Sequence, residues 1–307
     1  MWKTLYQPEN SQLSINTWGV LVTLAFAAAA WVVHHRTRKV GIDPDKMVWL
    51  YLIAIVGGLA GARLLHFTMA TPEAFFKDPL IYFRIWEGGF ALYGGLLAAG
   101  FGGVAYGFAR GINVWKMTDA VFPAVLLGVS IGRVGCFFAG CCHGAVVELP
   151  ADAIALFPAS FSGGQLWLVP HAPFLLEMTR NGVGENDVVV MATQLYETIV
   201  TGGIFLAMSW LWHHRRFDGQ VFGVSLMLYA IWRPINEMIR GDDVRGLDHL
   251  TFLPASWPVH TTSQAISLPV FAIGLMIVIF RFNRGVAPET PFQPTTEEVV
   301  EGSAPRF

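Results

Sequence analysis

The stretch Val125-Leu-Leu-Gly-Val-Ser-Ile-Gly-Arg133-Val-Gly-Cys136-Phe-Phe-Ala-Gly-Cys141-Cys142-His143-Gly144 puts an arginine inside what otherwise reads as a membrane-spanning helix. A guanidinium keeps its proton in a protein, and a charge at the middle of a bilayer costs roughly 2.5 kcal/mol or more. Arg133 is therefore expected to face an internal polar cavity and a negatively charged partner. An anionic lipid headgroup is one such partner, while snorkelling to an interface or satisfying helix-terminal carbonyls is the plainer alternative.

The rest of the chain agrees with a membrane setting. Its 307 residues are 54% hydrophobic and 14% charged, with a mean hydropathy of +0.49, outside the range of ordinary soluble domains. Apolar segments at about 17–34, 48–68, 89–109, 119–138, 193–212, 219–239 and 263–280 predict an all-α polytopic membrane protein with seven transmembrane helices. Placing the N-terminus outside puts His34-His-Arg-Thr-Arg-Lys39, Arg110, Lys116, His213-His-Arg-Arg216 and Arg281-Phe-Asn-Arg284 on the cytoplasmic side. That is the positive-inside pattern, and the C-terminus is then cytoplasmic. The first span is followed by basic residues and lacks an Ala-x-Ala site, so it reads as an anchor and not a cleaved signal peptide. The near-neutral net charge of −2 adds nothing to this, and no nucleic-acid partner is expected.

Residues 1–284 form one expected membrane domain, with long outer segments at 139–191 and 240–262. The first, rich in Gly, Pro and aromatics, is expected to make a small periplasmic cap at the headgroup interface. Residues 285–307, rich in Pro, Thr and Glu, read as a disordered cytoplasmic tail.

Four polar groups interrupt the apolar segments. In Gly88-Gly-Phe-Ala-Leu-Tyr93-Gly94-Gly95, glycines permit close approach of a backbone or a lipid, although small residues also serve helix packing. The second group is the Arg133 stretch. Its Cys136, Cys141, Cys142 and His143 are metal-ligand types, but an adjacent cysteine pair is awkward for one tetrahedral ion, so packing is expected and no metal. Third, Tyr229, Arg233 and Glu237 are spaced by four and share one helix face, with Arg240 a turn further on. An Arg233–Glu237 salt bridge would explain two of them and leave Arg240 unexplained. Finally, Thr193-Gln-Leu-Tyr-Glu197 and Thr262-Ser-Gln264 open two spans. Capping suffices for the hydroxyl residues but not for Glu197 and Gln264. In the seven-span arrangement Tyr93, Arg133, Glu197, Glu237, Arg240 and Gln264 share the outer half of the bilayer, where one polar cavity could hold them.

Taken in order, Trp18-Gly19, Gly61-Ala-Arg63, Trp86-Glu-Gly-Gly89, Tyr93-Gly-Gly-Leu96, Gly132-Arg-Val-Gly135, Thr193-Gln-Leu-Tyr-Glu197, Arg233-Pro-Ile-Asn-Glu237-Met-Ile-Arg240-Gly-Asp and Gln264-Ala-Ile-Ser267 resemble the prolipoprotein diacylglyceryl transferase family of bacterial inner membranes. The resemblance implies transfer of a diacylglyceryl group from phosphatidylglycerol to the lipobox cysteine thiol of a preprolipoprotein. It forms a thioether, releases glycerol phosphate, and uses no cofactor. It further implies that Arg133 and Arg233 hold the phosphate, with Arg240 beside them and Glu237 orienting Arg233. Gly94, Gly95, Tyr229, Glu197 and Gln264 would line the lipid site. The chain departs from the family's best-known members at Tyr93, where they carry His, at Cys136 (Asn), at Cys141 (an acidic residue) and at Trp18 (Tyr). Tyr93 is then the expected proton-handling group at the reaction centre, provided the arginines lower a pKa that ordinarily lies near 10. Three other readings compete with this one. They are an anionic-lipid binding or transport protein without chemistry, a paralogue with another acceptor, and a redox or metal module built on the cysteines.

Overall fold

In a computed structural model of the chain, residues 4–6, 15–69, 73, 77–84, 89–139, 141, 142, 144, 166–168, 176–181, 187–239 and 262–284 are described. Among them are seven long helical runs, each overlapping one of the apolar segments. They are α1 (Thr17–Lys39), the run α2 (Pro44–Leu52) to α3 (Gly58–Met69) joined by a π-helical turn at Ile53–Gly57, α4 (Leu92–Ala109), α5 (Val114–Ala139), α6 (Thr193–His214), α7 (Gln220–Ile239) and α8 (Thr262–Asn283). By length and composition, Thr17–Lys39, Pro44–Met69, Val114–Ala139 and Gln264–Asn283 can each cross a membrane. Leu24, Trp31, Phe101, Phe108, Leu206, Trp210 and Met276 are all exposed. Such a surface would aggregate in water, whereas lipid tails are as apolar as the side chains themselves.

The all-α expectation holds for these runs and not for the segments outside them. Strand β1 (Thr4–Tyr6) pairs antiparallel with β2 (Ile15–Asn16). Strands β3 (Leu166–Leu168), β4 (Leu176–Asn181) and β5 (Asp187–Met191) form an antiparallel sheet with Trp167 opposite Glu177 and Thr179 opposite Val189. The expected outer cap is thus partly β, as the Val188-Val-Val190 run favours, because β-branched side chains suit a pleated strand. The remainder of 139–191, most of 240–262 and the tail fall outside the described residues.

The chain divides into two compact units, one drawn from residues 1–31 and 121–288 and the other centred on residues 32–120. In the second unit two helix–helix turns share a design. After α1, Gly41 takes φ 73°, Ile42 N–H donates to Thr37 O at 3.0 Å, and Asp43 caps α2. Beyond α4, Gly111 takes φ 65°, Ile112 N–H donates to Gly107 O at 2.9 Å, and Asn113 Oδ1 accepts from Trp115 N–H at 3.1 Å. Glycine supplies the left-handed residue that closes the helix, the buried isoleucine anchors the turn, and Asp or Asn starts the next helix.

Helices α3 and α4 then cross with almost no space between backbones. A Cβ on Gly61 would meet Gly94 O at 2.5 Å, and one on Gly95 would meet Gly58 O at 2.9 Å. Buried Arg63 sits beside that crossing, donating to the carbonyls of Tyr82 (2.7 Å) and Ile81 and stacking near Phe67 and Phe90.

Within the first unit, α5 rests on α1 through Gly135 against Trp18 and Leu21. Ser130 and Thr198 exchange hydroxyl-to-carbonyl hydrogen bonds between α5 and α6, at 2.9 and 3.2 Å. Helices α7 and α8 meet at Gly223 and Gly274, where either added Cβ would lie within 2.9 Å of the other glycine's carbonyl oxygen. These contacts fix the helices that carry the polar residues.

Candidate active site

Arg133 lies four turns or more into α5, and its Nε is 2.9 Å from Glu197 Oε2 on α6. The same carboxylate oxygen accepts from Asn236 Nδ2 on α7 at 2.8 Å. One turn back along α7, Arg233 Nη2 is 2.5 Å from Glu237 Oε2. Three helices therefore converge on one network, Arg133–Glu197–Asn236, and α7 carries a second ion pair, Arg233–Glu237. The negative partner demanded by Arg133 is supplied from within the chain by Glu197. Both ion pairs make geometric sense of charges inside apolar helices, since an unpaired buried charge costs several kcal/mol.

Accessibility differs between the two signs of charge. The side chains of Arg133 and Arg233 are 15% and 10% exposed, whereas Glu197 is 1% exposed. Each carboxylate is thus more deeply buried than the arginine it holds, Glu237 being 5% exposed. Among the described residues, buried Arg233 Nη1 has no hydrogen-bond partner, so this guanidinium retains donor capacity. Tyr229, one turn before Arg233, lies within electrostatic reach of Arg133. Pro234 removes one intrahelical donor from α7 beside Arg233.

The start of α6 departs from expectation. Ala192 is its N-cap and makes no side-chain cap. Instead, Thr193 Oγ1 donates to Cys142 O at 2.8 Å and Gln194 Nε2 donates to Cys141 O at 2.7 Å. These two buried side chains tie the cysteine loop to the helix that presents Glu197. Gly144 N–H adds a bond to Met191 O at 2.7 Å, and a Cβ there would collide with Met191, Ile239 and Thr193. Hydrogen bonding to Cys136 and Cys142 pushes the Cys141 thiol up from its ordinary value.

The remaining expected site residues are placed less fully. Gln264 sits half-buried in the first turn of α8. Tyr93 belongs to the first turn of α4 in the other unit, and its side chain lies outside what is described. Gly94 and Gly95 are on the same turn, with their open sides filled by α3. Arg240 and His143 lie outside the described residues. Asn236 was not among the expected residues, although it stands three positions after Arg233 and so on the face already picked out by Glu237.

A profile of the prolipoprotein diacylglyceryl transferase family matches residues 9–280. The chain is 28% identical over 275 residues to a phosphatidylglycerol–prolipoprotein diacylglyceryl transferase of Clostridium tetani, covering 89% of this chain and 96% of the relative. A protein of the same name from Ralstonia pickettii is 28% identical over 283 residues, covering 89% and 91%. Another from Solidesulfovibrio magneticus is 29% identical over 274 residues, covering 88% and 91%.

Proposed function

This chain belongs to the prolipoprotein diacylglyceryl transferase family, and from that premise we propose that its paired arginines hold the phosphate of phosphatidylglycerol during the transfer. The activity is transfer of a diacylglyceryl group from phosphatidylglycerol to a prolipoprotein. The acceptor atom is the lipobox cysteine sulfur of a preprolipoprotein signal peptide. Sulfur attacks the glycerol carbon that bears the phosphodiester, a C–S bond forms, the C–O bond breaks, and glycerol phosphate leaves with the electron pair.

Such a displacement needs positive charge on the departing phosphate and a group that takes the thiol proton. Arg133 and Arg233 supply the first. The observation that carries this reading is donor capacity left over on fixed arginines: Glu197 and Glu237 hold Arg133 and Arg233 while remaining more buried than they are, and Arg233 Nη1 has no hydrogen-bond partner among the described residues. Arg240, seven residues after Arg233 in the sequence, adds charge in this reading. Tyr229 and Gln264 line the lipid site in this reading, with Glu197 positioning Arg133 and Glu237 positioning Arg233, whereas Gly94 and Gly95 serve the α3–α4 crossing. Tyr93 handles the thiol proton, a role that rests on its position in the family motif.

The same reading places the chain in the bacterial cytoplasmic membrane with seven spans, the N-terminus outside and the C-terminus inside. Seven helical runs and the basic residues at alternate turns support it. The deciding experiment is reconstitution in vesicles containing phosphatidylglycerol and a lipobox peptide. Release of glycerol phosphate that requires the peptide establishes transfer to that acceptor. Phosphatidylglycerol binding with no release would leave a lipid-binding protein and defeat the proposal.

A further inference from the structure

The transfer proposed above assigns no role to Cys136, Cys141 and Cys142, yet their sulfur atoms all lie within 4.8 Å of one another. Packing explains this poorly, because Cys141 is exposed and the other two are only half-buried. A zinc ion sits ~2.3 Å from each thiolate, which holds sulfurs roughly 3.8 Å apart. The observed cluster is within an ångström of that spacing.

The objection to an adjacent cysteine pair is met by the backbone. Cys142 has φ 61°, the left-handed region that an L side chain enters at a cost of about 1–2 kcal/mol. That turn lets neighbouring residues present their thiols to one point, and Thr193 and Gln194 hold it through the carbonyls of Cys142 and Cys141. Gly or Asn would occupy such a position at lower cost, so the cysteine needs a compensating use. Cys136 approaches from the last turn of α5, where Cys141 N–H donates to its carbonyl at 3.2 Å.

Two further features suit a cation held by thiolates. A cavity of about 430 Å³ lined by Asn16, Trp18, Ala139 and Cys141 adjoins the cluster at Cys141. Three thiolates around a divalent ion leave one net negative charge, and Arg133 lies within electrostatic reach of Cys136 and Cys142 to offset it. An all-sulfur set without carboxylate selects a soft ion of the zinc or copper(I) type over magnesium or calcium.

We propose that Cys136, Cys141 and Cys142 form a three-thiolate site for one soft d10 metal ion, with its fourth position open to the cavity. The test uses the full chain, purified in detergent, reduced and stripped of metal, then titrated with Zn2+ against a chromophoric chelator. One equivalent should bind and raise the melting temperature. Cys141→Ser and Cys142→Ser should each weaken binding by at least about tenfold. Because a variant can fail by misfolding, Co2+ is added to the unmutated chain as well. Intense thiolate-to-cobalt absorption supports the site, and its absence overturns it. Substoichiometric zinc, or equal affinity in a chain with all three cysteines changed to serine, also overturns it.

Discussion

Arg133 shows how far one residue can be read. Its sequence setting demanded an anionic partner, and the helix geometry provides Glu197, itself shared with Asn236. Replacing Arg133 with alanine should lower transfer at least 100-fold, on the order of 2.7 kcal/mol of transition-state stabilisation, while the protein still inserts. Rates of glycerol phosphate release within a few-fold of the unmutated chain would remove it from the site. Lysine should not rescue it, since a point charge cannot reproduce the fork that holds a carboxylate and a phosphate together. Tyr93→Phe keeps the ring and removes the hydroxyl. A large fall in rate with unchanged phosphatidylglycerol binding is expected, and Tyr93→His should retain part of the activity. A phenylalanine variant as fast as the parent would make the residue a wall only. Asn236 escaped the sequence reading because asparagine carries no charge to look anomalous. Its spacing from Arg233 was visible, but only the carboxylate contact gives that spacing a meaning.

Helical elements were legible because each needs a long apolar run, and every run expected from hydropathy coincides with a helix to within a few residues at its ends. Their breaks were legible too, since Gly41-Ile-Asp-Pro44 and Gly111-Ile-Asn113 carry stop and start signals in order. The sheet β3–β4–β5 was not, because Gly, Pro and aromatic content advertises an interfacial loop while hiding short strands of three to six residues. Glycine pairs were ambiguous in the sequence, serving equally a lipid or a neighbouring helix. The crossing of α3 and α4 fills Gly61, Gly94 and Gly95 with opposing backbone. Gly94→Val should therefore destabilise that crossing by about 1–3 kcal/mol, as overpacking does, and Gly274→Val should do the same for α7 on α8. Melting temperatures in one detergent measure this. Unchanged melting for both would mean that the helices part more easily than their spacing implies.

At the scale of the whole molecule, the proposed arrangement across the membrane rests on charge placed at alternate turns. The basic groups at His34–Lys39, Arg110 with Lys116, His213–Arg216 and Arg281–Arg284 end or begin helices at every second connection. Three of these ends carry their own anchoring: Gly41 and Gly111 close tight turns, and Arg281 Nε donates to Asp218 O at 2.9 Å beside Arg215. Holding such residues at one membrane face costs little, whereas dragging clustered Lys and Arg across the bilayer is opposed at every span. A reporter that works only outside the cytoplasm, fused after residues 41, 111, 218 or 284, should therefore be silent. The same reporter after residue 240 should be active, because the proposed topology puts that segment on the opposite face. Activity at 41 or 111 would reverse the orientation. Silence at 240 together with activity at 284 would instead mean that α7 does not cross while α8 does, and would remove the placement of Arg233 and Glu237 on the side where the proposed acceptor thiol arrives.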